Sequence, residues 1–547
     1  MKNQLTHTFL FLVLICSSIS DAKVFDKKEL EAKIDALIPS GVNQSTPGLV
    51  IGIVQNGKLV FGKGYGLANM AYKMSNNPKM VYNIGSVSKQ FLGYAFAMLH
   101  VNGDLNLDDP VAKYLEDWPK FKHKVTLRHL LSHTSGYREA YAMSALAGRN
   151  IGVDRLTRKE CLDVVRNQPE LEFIPGSRFT YNSTAWVILA EVMEKVTGQP
   201  ADKWVETNIL QPLKMNDTQI ESYVGEVILN TAESYSYIKE KGYINQESNR
   251  AIFGAAEVYS SVNDMVKWIN NYRTAEIGGR KVNNIFLKPF ILNDGTDSEY
   301  ALGIFNGSYR GLKRYRHTGG HEAFSTQLSY FPEQDLGIFT VSNFGRKGWL
   351  DTSKIADIIL EEHMTDTPEK IIEPIEMKQD QLAQLSGIYI KNTYNRTIEF
   401  TMVDGSLFYG KSKLIPIARN AFHLEGSEIE IQVRNISNEK TQLTIVDGAK
   451  KTYYKAEKWN PDVASLKVYN GDYWSEELET VYHLNVNDEK LTVQHRWLGE
   501  LPLVAVAKDF FKTKWGVYIK FNRNKENQIS SLSVNSGRTL NVKFHRK

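Results

Sequence analysis

Phe91-Leu92-Gly93-Tyr94-Ala95-Phe96-Ala97-Met98-Leu99 offers water no polar face. A helix that is apolar all round is stable only inside a large core, so the fold must wrap around this one. Lys89 stands two residues before it, and Ser86 three residues before that. Residues three apart on a helix share a face. A hydroxyl is a poor nucleophile until a base takes its proton, and a lysine becomes such a base when burial disfavours its charge. At the start of the helix, free backbone N–H groups also aim at the Ser86 oxygen.

The spacing alone proves little. Ser-x-x-Lys recurs at Ser20 and Lys23, Ser236 and Lys239, and Ser437 and Lys440, and short motifs need context. Only the Ser86 copy follows a small residue and opens a long apolar helix. A rival chemistry is a zinc site on His129 and His133, four apart. Leu130, however, occupies the place of a metalloprotease's general-base Glu, and no third ligand can be placed. No metal or cofactor is therefore expected, and both histidines are expected to serve structural hydrogen bonds.

At 547 residues, roughly 150 per domain predicts two to four domains. The share of hydrophobic residues, 42%, and of charged residues, 23%, excludes disordered, collagen-like and coiled-coil chains. A net charge of +4 implies no broad field for nucleic acid. Residues 1–22 read as a secretory signal, with Lys2 before an apolar run ending at Cys16 that is too short to span a bilayer. An exported, periplasmic or extracellular location follows. A lipid anchor on Cys16 is the lesser alternative, because bulky Ile15 precedes it. No later stretch reads as a transmembrane segment. After cleavage only Cys161 remains, which excludes an intrachain disulfide.

Asp26 opens a short helix bearing Leu30, Ile34 and Leu37 on one face. Asn56-Gly57 between two apolar runs predicts a hairpin. A mostly helical stretch follows from about Ser86 to about Trp268, including a helix over 184–196 stopped by Gly198. Strands return near residues 327–331 and 336–342, then a helix with Ile355, Ile358 and Ile359. These predict an α+β unit, an antiparallel sheet carrying helices and a helical insertion, over residues 23–364. Pro368 and Pro374 mark a linker at 365–377. Beyond it, short alternating runs between Asp, Asn and Gly turns predict antiparallel β-barrels. Leu385-Ser386-Gly387-Ile388-Tyr389 is echoed by Tyr469-Asn470-Gly471-Asp472-Tyr473. Two small barrels, 378–460 and 461–547, are expected, with one barrel over 378–547 as the alternative.

Further segments occur in order: Thr126-Leu127-Arg128-His129-Leu130-Leu131-Ser132-His133-Thr134-Ser135-Gly136, Ile174-Pro175-Gly176 ahead of Tyr181, and Ser261-Val262-Asn263-Asp264-Met265-Val266-Lys267-Trp268. With the Ser86 motif and His317-Thr318-Gly319, they resemble the serine β-lactamase and penicillin-binding-protein superfamily, in its class C β-lactamase-like branch of S12 peptidases and esterases. The C-terminal part resembles the lipocalin-like extension of D-aminopeptidase-like enzymes, where barrels border the active site and limit access. The resemblance implies a nucleophile at Ser86, its base partner at Lys89, and at Tyr181 a phenol that shuttles a proton if positive charge lowers its pKa. It also implies a substrate-binding strand edge at His317, Thr318 and Gly319, and an oxyanion hole from the Ser86 and Gly320 N–H groups.

Two departures stand out. The family's Tyr-x-Asn is here Tyr181-Asn182-Ser183, which places a hydroxyl where an amide grips substrate; Asn182 and Ser183 also suit a helix cap. Ala255-Ala256-Glu257 replaces paired glycines, with Glu257 expected to be solvated. His321 contacts either substrate or a turn. The implied activity is hydrolysis of small amides, short peptides (including those with D-residues) or esters through an acyl-enzyme on Ser86. β-Lactamase or D-Ala-D-Ala carboxypeptidase activity is the enzymatic alternative. An acylatable sensor with little turnover is the alternative of another class.

Overall fold

The computed structural model describes residues 26–250, 253–365, 373–427, 429–437, 440–447 and 449–547. The expected signal at 1–22, with Cys16, and residues 366–372 of the expected linker lie outside the described residues.

Asn56 and Gly57 both hold positive φ, 50° and 75°. That is the requirement of a two-residue turn matching strand twist, and it joins β1 (Leu49–Gln55) to β2 (Lys58–Tyr65). Four later strands, β3 (Phe305–Tyr309), β4 (Leu312–His321), β5 (Phe324–Phe331) and β6 (Leu336–Ser342), complete an antiparallel sheet in the order β3-β4-β5-β6-β1-β2. Leu49 pairs with Ser342 across β1 and β6, so the chain leaves the sheet after β2 and returns to it more than 200 residues later.

Strand side chains alternate between faces, and β1 is apolar on both. Leu49, Ile51 and Ile53 pack with Leu30 and Ile34 of α1 (Lys27–Asp35) and with Ile355 and Ile359 of a helix near the end of this unit, Thr352–Leu360. Asp26 stands at the N-cap of α1 without a side-chain bond to it. Val50 and Val54 join the larger core on the other face. There α2 (Lys89–Asn102) is enclosed beside α3 (Thr184–Thr197), which ends at Gly198 in the left-handed conformation. Among the described residues no helix is long and apolar enough to cross a membrane.

The β-rich remainder forms two sheets. Strands from Gly387 to Lys455 close into an eight-stranded barrel, and nine strands from Gly471 to Arg546 form a second, nearly closed one. The sequence echo is structural: the Tyr389 hydroxyl donates to the Leu385 carbonyl and the Tyr473 hydroxyl to the Tyr469 carbonyl.

The second barrel is not an appendage. Met143 and Leu146, from the helix Ala140–Leu146, belong to its apolar core, and the Tyr482 hydroxyl donates to the Leu146 carbonyl. Arg138, only 2% exposed, bonds Glu172 on its own side and Glu477 of the barrel, at 3.0 and 2.7 Å, and also the Leu540 carbonyl. Replacing Arg138 by Ala leaves two carboxylates buried without their cation, an imbalance that costs about 3–5 kcal/mol. Chemical denaturation should register a loss of that size, with the barrel unfolding ahead of the rest. A loss under about 1 kcal/mol, in the range of exposed pairs, would contradict this account of the interface.

Candidate active site

Ser86 lies in a single 3₁₀ turn, Gly85–Ser88, that runs directly into α2. Lys89 is fully buried, and its Nζ bonds Ser86 Oγ at 3.1 Å and the Ala255 carbonyl. Burial lowers its pKa to about 7. Arg538 adds to that push, while Glu257 and Glu139 pull the other way. Near neutral pH this amine is thus available in its uncharged form.

Strand β4 meets the Ser86 turn backbone to backbone. A Cβ on Gly319 would sit 2.0 Å from the Ile84 carbonyl oxygen, and one on Gly85 would sit 2.5 Å from the Gly320 nitrogen. Only glycine permits that approach. Strand β3 pairs with β4 only as far as Arg316, which leaves the β4 edge from His317 to His321 without a paired strand on that side among the described residues. Thr318 and Gly320 are exposed there, while His317, Gly319 and His321 are buried.

Two basic groups approach Tyr181, Lys89 Nζ at 5.2 Å and the Arg538 guanidinium at 4.8 Å from its ring centre. Its hydroxyl makes no hydrogen bond of good geometry among the described residues, although Ser86 and Arg538 both favour its ionised form. Burial outweighs them and pushes the pKa up. Positive charge therefore does not prevail at Tyr181, contrary to the condition set from the sequence, and the phenol keeps its proton.

The two motif histidines are joined by one hydroxyl. The Asn182 N–H donates to His133 Nδ1 at 3.0 Å, which assigns the ring proton to Nε2. That N–H faces the Tyr300 oxygen at 3.1 Å, and Tyr300 in turn faces His317 Nε2 at 3.0 Å. His317 Nδ1 then donates to the Thr318 carbonyl at 2.7 Å. The Asn182 N–H requires a neutral His133, and a neutral His317 gives the Tyr300 hydroxyl an acceptor, so that every link runs in one direction. Burial agrees, lowering His133 well below the usual range and His317 to about 3. His133 also stacks on Tyr181, ring centres 4.1 Å apart. His129 is engaged separately: its Nδ1 accepts from the Thr126 N–H in a capping box. His321 bonds Ser248.

The second motif's amide is committed elsewhere. Asn182 Nδ2 donates to the Tyr137 and Arg138 carbonyls, and Oδ1 accepts from the Ala185 N–H at the start of α3. Ser183 is buried at the N-cap of that helix without a side-chain capping bond. Asn182 thus supplies the side-chain oxygen at the start of α3; Ser183, implied by the resemblance as a substrate contact, occupies the N-cap position and supplies none.

Glu257 corrects a second expectation. It is fully buried, not solvated. Its Oε2 accepts from the Ala256 N–H, and Oε1 has no partner among the described residues. Burial raises its pKa to about 7, against the pull of Ala256, Arg250 and Lys89. Its φ of 71° is the conformation glycine adopts freely, so the loss of paired glycines was the signal that this residue is special. Glu139, another buried carboxylate near Lys89, gave no such signal. Its Oε2 accepts from the Ala142 N–H.

Residues 30–360 match the family described as Beta-lactamase. The chain belongs to that family of serine hydrolases and penicillin-binding-protein relatives. Protein flp of Staphylococcus aureus (strain N315) is 27% identical over 330 residues, 57% of this chain and 63% of that protein; the match therefore spans under two thirds of the relative's length. The octameric penicillin-binding protein homologue from Pyrococcus abyssi, 23% identical, superposes with a TM-score of 0.54 over 78% of this chain and all of its own. D-amino acid amidase from Ochrobactrum anthropi, 20% identical, does so with 0.50 over 61% and 98%.

The electrostatics can be checked directly. Glu257→Gln removes an anion that favours the charged amine, so the Lys89 pKa should fall below its value of about 7. NMR of ¹³C-methylated Lys89 would follow this; an unchanged or raised midpoint would refute the coupling.

Proposed function

We propose that this protein is an exported serine hydrolase that acylates Ser86, with small amides, short peptides or esters as substrates. The observation that carries the reading is the buried Lys89 amine, its pKa lowered to about 7, 3.1 Å from Ser86 Oγ, beside a strand edge that only glycine lets approach.

In this mechanism Lys89 Nζ takes the proton from Ser86 Oγ, which attacks the substrate carbonyl. The oxyanion is received by the Ser86 and Gly320 N–H groups. Tyr181, kept protonated by burial, delivers a proton to the leaving group. Water then attacks the acyl carbonyl, giving a proton to the Tyr181 phenolate, while Lys89 returns its proton to Ser86 Oγ as the ester bond breaks. Thr318 and Gly320, exposed on the open edge of β4, face the substrate. His317 is neutral and enclosed, so it acts through Tyr300 and the Thr318 carbonyl. Since the fold is shared with a D-amino acid amidase, D-aminoacyl amides are the first compounds to assay. β-Lactam turnover is disfavoured, because the Asn182 amide is consumed by backbone groups and Ser183 offers no amide in its place.

The purified full chain should turn over a chromogenic short-chain ester or an aminoacyl amide, and Ser86→Ala should lower kcat/KM by about 10³-fold or more. Stoichiometric labelling of Ser86 without turnover would replace the hydrolase by the sensor reading. With the wild type, kcat/KM should rise with pH through about 7, because the base works only after Lys89 loses its proton. A rate that falls across that interval would exclude Lys89 as the base. Gly319→Ala, by displacing β4 from the Ser86 turn, should cost about 10²-fold in the acylation rate, measured with a fluorophosphonate probe. Unchanged labelling would exclude the close approach as a catalytic requirement.

A further inference from the structure

Arg538 comes from the second barrel, in the two-residue turn between strands Ile529–Ser536 and Thr539–Arg546. It is exposed, yet its guanidinium lies 4.8 Å from the ring centre of Tyr181 and acts electrostatically on Lys89, the partner of Ser86. It has no hydrogen bond or ion pair among the described residues. An exposed arginine on a loose loop would be an ordinary solvated charge. This turn is fixed from three sides. Asn395 of the first barrel donates to the Gly537 carbonyl at 3.1 Å, and the Glu139 N–H donates to Thr539 Oγ at 3.3 Å. The Leu540 N–H is held by Glu172, the same carboxylate that binds Arg138.

The other basic groups near Ser86 are spent. Arg250 is paired with Glu322. Lys89 is buried beneath Ser86, and His317 is neutral within its hydrogen-bonded chain. Glu139 interacts with Arg538 through space, but it is buried, its Oε2 accepts from the Ala142 N–H at the start of its own helix, and it forms no ion pair with the guanidinium among the described residues. What remains is a rigidly placed, open, planar cation beside the phenol.

We propose that Arg538 is a specificity-determining residue that receives a carboxylate on the leaving-group portion of the substrate, so that the barrel supplies an anion subsite to the catalytic cleft. The planar fork of arginine matches a carboxylate, and Tyr181, which it covers, is the group that faces the leaving group. The inference rests on the hydrolase reading for the direction of the substrate, not for the existence of the anion subsite.

The test has two arms. In the first, the Ser86→Ala protein is titrated by calorimetry with N-acetyl dipeptides, in D and L series, ending in a free carboxylate or in a carboxamide. The carboxylate should bind about tenfold or more tightly than its carboxamide. That ratio should collapse to within about threefold in Ser86→Ala with Arg538→Gln, and recover in part with Arg538→Lys. A ratio near one in the parent, no binding by either compound, or a preference that survives Arg538→Gln overturns the proposal. In the second arm, the ratio of kcat/KM for the same pairs is measured with Ser86 intact, whatever the absolute rates. A ratio that follows Arg538 supports the subsite. Turnover with a ratio indifferent to Arg538 removes the subsite and leaves the hydrolase; an Arg538-dependent binding preference without turnover does the reverse.

Discussion

The structure depends on enclosing an amine. Lys89 opens a helix that has no wet side, so its nitrogen is carried into the core with the helix. Burying an ammonium without compensation is costly enough that the group prefers to lose its proton. The surroundings moderate that tendency: two buried carboxylates favour the charge, Arg538 opposes it, and the balance falls near neutrality. Both carboxylates keep one oxygen without a partner among the described residues. Such a cluster is poor for stability and useful for chemistry, which fits the tendency of perturbed groups to gather at functional sites.

Next to this charged cluster runs an uncharged one. The chain from Asn182 through His133, Tyr300 and His317 to the Thr318 carbonyl ties three distant sequence segments together with hydrogen bonds of one polarity. A charged imidazole at His133 would set its Nδ1–H against the Asn182 N–H, and one at His317 would reverse the link to Tyr300. Neutral histidine is therefore what this position requires. A lysine in place of His317 could donate but not accept, and Tyr300 would lose the acceptor for its proton.

Much of this was legible because it is local. The burial of α2 follows from its apolar periphery, the hairpin from Asn56-Gly57, and the end of α3 from Gly198; each is decided within a few residues. The juxtaposition of Ser86 and Lys89 follows from helical spacing. Glu139, Glu257 and Tyr300 reach the site from positions 50 or more residues along the chain, and Arg538 from the far end, so no periodicity marks them. Glu257 was misread as solvated because a lone carboxylate is usually exposed. Its backbone conformation, not its side chain, carries the distinction. Tyr181 was placed by its motif, but its ionisation was not, because burial is a tertiary quantity.

The barrels change the meaning of the catalytic unit. Arg138 binds carboxylates on both sides of the boundary, and Met143 and Leu146 complete the second barrel's core. Removing the barrel would therefore strip two apolar side chains and a buried cation of their partners, and a truncated chain would report on that damage as much as on access to the cleft. The residues that fasten the barrel, Arg138 and Glu139, adjoin in sequence, and Glu139 also acts on Lys89. Fastening and chemistry thus share one short segment. A shift of the barrel would move the turn bearing Arg538 away from Tyr181 and change the charge felt by Lys89, so the second barrel is physically part of the candidate site.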